Sequence, residues 1–551
     1  MKRWMRAAAT LAAFVLVWFA LVAPDRLERL TPAAFLRIPL EALVVVALAI
    51  VLPPRARRVL AVVVGVVLGL LTIVKLLDLG YFAELDRPFN PVSDWGTLGP
   101  AVGVVRDSVG SGWADAAVVG AVLVAVALPA LLALSAVRLT RLATMHRRTT
   151  ARAVVALGVV WVVCAAFGAQ LVAGAPVAST NAAGLAYGQV RDVRAALADR
   201  RTFGSQLAAK DTFAGAPAAD LLSGLRGKDV IVAFVESYGR VAVQGSSFAP
   251  GVDAVLRSGT RSLRAAGFDS RSAFLTSPTF GGISWLAHST LQSGLWIDTQ
   301  QRYNQLVDSD RFTLSDAFKR GGWRTVGDVP SNPGDWPQGR SFYHYDQLYN
   351  ARNVGYAGPS FSYADMPDQY TLAAFQRLEL ARTDRAPVMA EIDLVSSHTP
   401  WTPLPRMVPW DQVGDGSIFD GMPAQGPTPN QVWRDANSVR TMYGRSVEYS
   451  LSALISFVQQ AHDDNLVLVV LGDHQPATIV SGTNAGHDVP ITIIAHDPDV
   501  LARISSWGWQ QGMLPGPGAP VWRMDAFRDR FLSAYGPQPD AGVHPNAHVS
   551  R

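Results

Sequence analysis

The first third of the chain contains long apolar stretches, and these constrain its fold more than any other feature of the sequence. A helix needs about 20 mostly apolar residues to cross the hydrocarbon core of a membrane. Stretches of this kind, each bounded by charge or proline, lie at about 7–23, 36–53, 58–77, 115–137 and 153–174. We therefore predict an N-terminal transmembrane domain of five helices over residues 1–175.

The positions of arginine indicate how these helices are oriented, because short loops rich in Lys and Arg stay in the cytoplasm. Basic residues precede the first stretch and lie between the second and third and between the fourth and fifth: Lys2, Arg3, Arg6, Arg55, Arg57, Arg58, Arg138, Arg141, Arg147, Arg148 and Arg152. The N-terminus is therefore expected in the cytoplasm. After five crossings, the rest of this multi-pass cell-membrane protein is expected to be extracytoplasmic.

Beyond the apolar stretches the composition is that of a globular protein. We predict a linker at 176–228, an α/β domain at 229–540 and a tail at 541–551. The formal net charge of +4 comes largely from the expected cytoplasmic loops, so we expect contact with membrane lipid headgroups and no nucleic-acid partner. The single cysteine, Cys164, falls in the fifth apolar stretch, which leaves the exported part without a disulfide.

Two short apolar runs in the C-terminal part end in residues that bind metal ions. The run at 229–235 is followed by Glu236, and the run at 466–472 is followed by Asp473 and His474. Runs of this length indicate strands that are buried on both faces. The carboxyl ends of parallel strands meet at one edge of a sheet, and carboxylate oxygen and imidazole nitrogen are ligands that Zn²⁺ or Mn²⁺ accepts. The sequence therefore predicts a metal site at this edge.

Further apolar runs alternate with amphipathic patterns, which indicates a mostly parallel sheet covered by helices. The predicted strands are 230–236, 323–327, 388–394, 466–471 and 490–495, and the predicted helices are 284–293, 312–320, 370–382 and 437–461.

A candidate nucleophile follows a pair of glycines. The segment Thr279-Phe-Gly-Gly-Ile-Ser284 leads into an amphipathic run that ends at Gly294. This places Ser284 in the first turn of a helix, where backbone N–H groups cluster and a hydroxyl can attack an anionic phosphorus or sulfur centre. A serine in this position is more often only a helix cap, and the nearby metal ligands favour the nucleophile.

Two histidines also flank predicted strands. His398 lies in Ser-Ser-His-Thr-Pro, and His487 lies in Gly-His-Asp-Val-Pro. Each alone fits a structural histidine as well as a catalytic one.

Taken in order, these motifs resemble the sulfatase-like branch of the alkaline phosphatase superfamily. They resemble more closely the membrane phosphoglycerol and phosphoethanolamine transferases, such as lipoteichoic acid synthase. The resemblance implies a sulfatase-like fold and one divalent metal ion, Mn²⁺, Mg²⁺ or Zn²⁺, held by Glu236, Ser284, Asp473 and His474. It also implies that Ser284 is the nucleophile and that His398 and His487 hold the phosphate or move protons.

The chain departs from the family pattern in two ways. Ser284 is followed by Trp-Leu-Ala-His rather than x-Pro-x-Arg, so formylglycine sulfatase chemistry is not expected. The transferases usually have a threonine nucleophile, which makes Thr279 the alternative to Ser284; the spacing to Gly294 favours Ser284. No clear second carboxylate cluster is recognised for a two-metal site.

The resemblance implies a metal-dependent transferase that moves a phosphoglycerol- or phosphoethanolamine-type group from a phospholipid to a cell-envelope glycan or polymer. The group would pass through a covalent Ser or Thr intermediate. One alternative is a metal-dependent phosphodiesterase or sulfuric ester hydrolase of the same fold, with water as the acceptor. The other is an envelope protein that binds a polymer without catalysis, in which Glu236, Asp473 and His474 would be dispensable.

Overall fold

The structure, a computed structural model, describes residues 2–332 and 334–537. The predicted tail at 541–551 and the end of the predicted α/β domain at 538–540 lie outside the described residues. The chain divides into two compact units between Asp199 and Arg200.

The first unit consists mainly of helices. Their bounds are α1 Lys2–Val22, α2 Leu40–Val51, α3 Pro54–Leu85, α4 Leu98–Val109, α5 Ser111–Met145, α6 Arg147–Ala166 and α7 Asn181–Ala208, and the unit boundary falls within α7. Two short pairings, Ile38–Pro39 with Ala178–Ser179 and Gln170–Val172 with Ala175–Pro176, complete it. Among the described residues, four helices are long and apolar enough to cross a membrane: α1 from Arg3, α3, α5 and α6.

The predicted second membrane span is shorter in the structure than in the sequence analysis. Only Leu40–Val51 is helical, which is 12 residues and about 18 Å at the usual rise of an α-helix. Pro39 disfavours a helical conformation in the residue before it, and Pro53 and Pro54 separate α2 from α3. The expectation of five full-length helices is therefore replaced by four long helices and one short apolar helix in the described chain.

Glycines allow two of the long helices to approach closely. A Cβ atom at Gly65 would lie 2.4 Å from the Cα atom of Ala133, and one at Gly69 would lie 2.4 Å from the Cα atom of Pro129. The backbones of α3 and α5 are thus in direct contact, as small residues permit in membrane helix pairs.

The second unit is built on a nine-stranded sheet, counted over the described residues. The strands are β1 Asp229–Val235, β2 Asp269–Thr276, β3 Arg324–Asp328, β4 Gln347–Tyr349, β5 Val388–Leu394, β6 Leu466–Gly472, β7 Asp488–Ala495, β8 Gln510–Gln511 and β9 Val521–Arg523. Their order is β8-β2-β7-β6-β1-β5-β3-β4, and β9 also pairs with β2. Strands β6, β1, β5, β3 and β4 are parallel, whereas β7 runs antiparallel to both of its neighbours.

Helices cover both faces of this sheet. The longer ones are α8 Ala249–Ala265, α9 Ser284–Ser293, α10 Gln300–Val307, α11 Leu314–Gly321, α12 Asp368–Phe375, α13 Ala436–Ala461 and α14 Phe527–Tyr535. Shorter helical segments are Pro337–Ser341, Met422–Gln425, Pro429–Val432, Thr478–Ser481 and Pro498–Ala502.

Strand β1 shows how the core is divided between the two faces. All seven of its residues are buried. Because side chains alternate along a strand, Val230, Val232 and Phe234 pack with α9, α11 and α14, and Ile231, Ala233 and Val235 pack with α8 and α13.

The mostly parallel α/β sheet expected from the sequence is confirmed, with each predicted strand present. Seven numbered elements of this unit were not predicted from the sequence: the strands β2, β4, β8 and β9 and the helices α8, α10 and α14. The β2 sequence, Asp-Ser-Arg-Ser-Ala-Phe-Leu-Thr, is too polar in its first half to be recognised as a buried strand.

Candidate active site

Glu236 stands at the end of β1, where the chain turns away from the sheet. Its N–H donates to the carbonyl of Leu394 at 3.0 Å, which extends the pairing with β5 by one residue. Ser237 then adopts a left-handed conformation, with φ 57°. The Ser237 N–H donates to Asp473 Oδ1 at 2.7 Å, and its hydroxyl donates to Glu236 Oε1 at 3.0 Å. This turn therefore connects the ends of β1 and β6.

Asp473 and His474 are held by backbone groups that leave one atom of each facing the site. Asp473 Oδ1 accepts from the N–H groups of Ser237 and His474, each at 2.7 Å. The Nδ1 atom of His474 lies 2.8 Å from the carbonyl oxygen of Gln475, which accepts only from a protonated nitrogen. Nε2 is consequently the ring nitrogen available to a ligand.

The glycine before Asp473 is required by a close backbone approach. A Cβ atom at Gly472 would lie 1.9 Å from the carbonyl oxygen of Tyr238. The end of β6 can therefore approach the turn after β1 only without a side chain at this position.

Ser284 begins helix α9, as the glycine pair predicts. Gly281 and Ile283 have φ values of 70° and 64°, and these left-handed residues turn the chain into the helix. The Ser284 hydroxyl donates to Glu236 Oε2 at 3.1 Å and lies 3.2 Å from His474 Nε2. The structure thus brings Ser284, Glu236 and the Asp473-His474 pair together.

Thr279, the alternative nucleophile, has a different environment. Its hydroxyl donates to the carbonyl of Gly282 at 2.7 Å, and its N–H donates to the hydroxyl of Ser277 at 3.3 Å. Both contacts stabilise the turn before α9, and Thr279 is buried.

The site concentrates negative charge in a buried place. Burial opposes the charge of Glu236, but the hydrogen bond from His474 and the nearby positive histidines outweigh burial and lower its pKa. Burial and the charge of Glu236 raise the pKa of Asp473. Burial alone would lower the pKa of His474, but the carboxylates of Asp473 and Glu236 raise it to about 9. Such a site attracts a cation.

The same residues fit a divalent metal ion. One ligand atom each from Glu236, Asp473 and His474 lie within 4.8 Å of one another. Two carboxylates and an imidazole suit Mn²⁺ or Zn²⁺, and the Ser284 hydroxyl adjoins them as a further oxygen donor.

His398 lies near this group. Its ring stacks on Tyr363 with 3.4 Å between the ring centroids, and its Nδ1 atom lies 2.6 Å from the carbonyl oxygen of Thr399. Its positive charge is close enough to lower the pKa of Glu236.

His487 contacts the segment that leads to α9. Its ring lies 5.6 Å from that of Phe280, and its carbonyl accepts from the N–H of Ser277 at 2.9 Å. Within the described chain, the contacts of His487 are thus with this segment rather than with Ser284 itself.

A second group of side chains that could hold a metal ion lies in the same unit, where the sequence indicated no second cluster. His288, Glu391 and Asp393 each place one ligand atom within 4.8 Å of the others. The expectation of no second cluster was wrong because these residues lie on a helix and a strand that are far apart in sequence. Two acidic residues inside an apolar strand were the available signal, since carboxylates are rarely buried without a partner.

No family model matches the chain. No curated protein matches it. Solved structures similar to it include a lipoteichoic acid synthase from Listeria monocytogenes, at 13% identity and a TM-score of 0.36, covering 61% of this chain and 80% of that chain.

Two further similar structures are transferases. A phosphoglycerol transferase from Streptococcus pyogenes, in complex with sn-glycerol-1-phosphate, has 12% identity and a TM-score of 0.35, covering 61% of this chain and 89% of that chain. The soluble domain of lipooligosaccharide phosphoethanolamine transferase A from Neisseria meningitidis has 13% identity and a TM-score of 0.34, covering 56% of this chain and 89% of that chain.

Proposed function

We propose that the protein is a membrane-anchored, metal-dependent transferase that moves a phosphoglycerol- or phosphoethanolamine-type group from a phospholipid to a glycan or polymer of the cell envelope. One observation carries the proposal: the Ser284 hydroxyl lies 3.1 Å from Glu236 Oε2 and 3.2 Å from His474 Nε2 at the start of a helix. A half-buried hydroxyl between a carboxylate and an imidazole, with helix N–H groups nearby, is placed to act as a nucleophile.

The reaction has two steps. The Ser284 hydroxyl releases its proton to solvent and its oxygen attacks the phosphodiester phosphorus, so the bond between oxygen and phosphorus forms and the bond to the diacylglycerol oxygen breaks. An acceptor hydroxyl then attacks the same phosphorus and releases Ser284, which regains its proton. A divalent ion held by Glu236, Ser284, Asp473 and His474 would supply positive charge that lowers the pKa of the serine hydroxyl and polarises the phosphate.

Histidines supply the proton transfers in this proposal. His398, close to Glu236, or His487 protonates the leaving oxygen in the first step and accepts the proton of the attacking hydroxyl in the second. The histidine that is protonated at a given moment also stabilises negative charge on the phosphoryl oxygens.

The N-terminal unit anchors the protein in the membrane that contains the lipid donor. We propose that residues 1–175 hold the protein in the cell membrane, with the N-terminus in the cytoplasm. Residues 176–228 link this part to residues 229–540, which carry out the reaction outside the cytoplasm. The four helices of membrane-spanning length and composition support the anchoring.

The test is a search for the covalent intermediate. The purified full chain is incubated with Mn²⁺ and vesicles of phosphatidylglycerol or phosphatidylethanolamine, and its mass and modified peptide are determined. We expect an adduct on Ser284 that disappears in Ser284→Ala, with transfer activity reduced at least about a thousandfold.

Two variants serve as controls. Ser289→Ala removes another hydroxyl of α9, one that donates to the carbonyl of Leu286 at 3.1 Å, and should keep the adduct. Thr279→Val should also keep it, and an adduct on Thr279 would contradict the assignment of Ser284.

Release of the headgroup to water at the same rate with and without a glycan acceptor would indicate the hydrolase, and unchanged function in Glu236→Gln would indicate the polymer-binding protein.

A further inference from the structure

The cluster of His288, Glu391 and Asp393 is assembled from the helix of Ser284 and from a neighbouring strand. His288 lies one helical turn after Ser284 in α9, and Glu391 and Asp393 lie two residues apart on β5, so both point to the same face of the sheet. The Nδ1 atom of His288 is 3.0 Å from Glu391 Oε1 and 3.5 Å from Asp393 Oδ1.

Neighbouring side chains fix the orientation of this cluster. Gln292 Nε2 and the Tyr345 hydroxyl, the latter at 3.0 Å, donate to Glu391 Oε2, which leaves Oε1 facing His288. The His288 ring stacks on Phe234 with 3.8 Å between centroids and 12° between the planes. Both contacts hold ligand atoms toward one point, as outer partners do around metal sites.

The cluster lacks positive charge for the carboxylates it contains. The Nδ1 atom of His288 is hydrogen-bonded to Glu391, and the buried Asp393 Oδ1, 3.5 Å from the same nitrogen, has no hydrogen-bond partner in the described structure. Asp328, at the end of the adjacent strand β3, is 1% exposed, and both of its carboxylate oxygens are also without a hydrogen-bond partner there. Buried carboxylates of this kind are normally paired or bound to a metal ion.

We propose that His288, Glu391 and Asp393 form a second divalent cation site, distinct from the one at Glu236, Asp473 and His474. One imidazole nitrogen and two carboxylate oxygens within 4.8 Å of one another are a donor set for Mn²⁺ or Zn²⁺. A cation there would give Asp393 Oδ1 a direct ligand contact in place of its 3.5 Å contact with His288. The inference does not depend on the transferase reaction, because it concerns metal binding alone.

The test counts the metal ions bound to the full chain in detergent. Protein freed of metal with a chelator is titrated with Mn²⁺, and in parallel with Zn²⁺, by isothermal calorimetry, and the bound metal is measured by mass spectrometry after dialysis. We expect two equivalents in the wild type and one in His288→Ala and in Asp393→Asn. Glu236→Gln should lose the other equivalent and keep the one at His288.

His344→Gln is the matched control. His344 Nδ1 also contacts a carboxylate, Asp316 Oδ1 at 2.7 Å, but this pair is at the surface, with 49% of the His344 side chain exposed. The variant should still bind two equivalents, which separates the cluster from an ordinary histidine–carboxylate pair.

Several outcomes would overturn the proposal. A wild type that binds only one equivalent of either metal would do so, as would a folded His288→Ala that still binds two. If the variants do not fold, as judged by circular dichroism, anomalous diffraction from Mn²⁺-soaked wild-type crystals decides: a peak between His288 and Asp393 is expected, and its absence contradicts the site. A wild-type protein that binds two equivalents of metal but has no transferase activity would contradict the proposed function and would leave the proposal of a second metal site unaffected.

Discussion

Gly472 illustrates how one residue can determine the geometry of a site without taking part in its chemistry. A Cβ atom here would meet the Tyr238 carbonyl at 1.9 Å, so Gly472→Ala must push β6 away from the turn after β1. We expect a loss of about 1–3 kcal/mol in the free energy of unfolding, as for other overpacked cores, together with weaker metal binding. Thermal unfolding and Mn²⁺ titration measure both effects.

Gly518→Ala is the control for this prediction, since a Cβ atom there would meet nothing within 4 Å. Its midpoint of unfolding should match that of the wild type. Equal midpoints for the Gly472 and Gly518 variants would contradict the close approach.

At this scale the sequence predicted some of the residues that the structure brings together and not others. Glu236, Asp473 and His474 could be recognised because each directly follows an apolar run whose strand ends at a known edge of the sheet. The two carboxylates inside the apolar strand β5 were a signal that each needs a partner, but their proximity to His288 could not be predicted, because it depends on how α9 lies across β5.

At the scale of elements, an ion pair connects the beginnings of β1 and β5. Arg385 donates to both carboxylate oxygens of Asp229, at 2.7 and 2.6 Å, and the N–H of Val388 donates to Asp229 Oδ1 at 2.7 Å. Arg385→Ala would leave the buried Asp229 without its cation, and we expect it to cost about 3–5 kcal/mol in the free energy of unfolding. Chemical denaturation measures the change.

An exposed pair provides the comparison. Arg257 is 63% exposed and contacts Asp253 at 3.2 Å on the surface of α8. Arg257→Ala should cost less than about 1 kcal/mol. A similar cost for the two variants would show that the Asp229 pair does not hold the strands together.

Helix α12 begins with a carboxyl group that should make stability depend on pH. Asp368 is buried and accepts from the N–H of Ser396 at 2.9 Å. Burial raises its pKa to about 6, against about 3.9 in an unfolded chain. Between these values the folded protein binds a proton that the unfolded chain does not, so its stability falls as the pH rises from about 4 to 6.

The variant Asp368→Asn should not lose stability in this way as the pH rises, because an amide carries no charge at any of these pH values. Between pH 4 and pH 7, its free energy of unfolding should rise relative to that of the wild type by up to about 3 kcal/mol, which corresponds to two pKa units. Unfolding midpoints at a series of pH values measure the difference. A difference between variant and wild type that is constant with pH would contradict the raised pKa.

The elements themselves were predicted from the sequence with uneven success. Strands β1 and β6 are buried on both faces and read as continuous apolar runs, which made them recognisable. The strand β2 pairs with β7, β8 and β9, and its polar first half is stabilised by pairing with β7 and β8 rather than by its own composition.

For the whole molecule, the orientation in the membrane depends on the short helix α2. Five crossings place the second unit outside the cytoplasm, whereas four would place it on the same side as the N-terminus. In a Cys164→Ser background, we expect Ser247→Cys, an exposed position of the second unit, to react with a membrane-impermeant maleimide in intact cells.

Ala56→Cys, exposed in the first turn of α3, should react only after the cells are permeabilised. Protection of Ser247→Cys in intact cells would mean that α2 does not cross and that the second unit faces the cytoplasm. A transferase acting on envelope polymers would then be ruled out.

Ser284 and His288 project from successive turns of one ten-residue helix. Inserting a single residue between them would rotate one relative to the other by about 100°, so both would not face the strand ends at once. We therefore expect natural relatives of this protein to vary in length before Gly281 or after Gly294, and to keep the stretch from Ser284 to His288 at constant length.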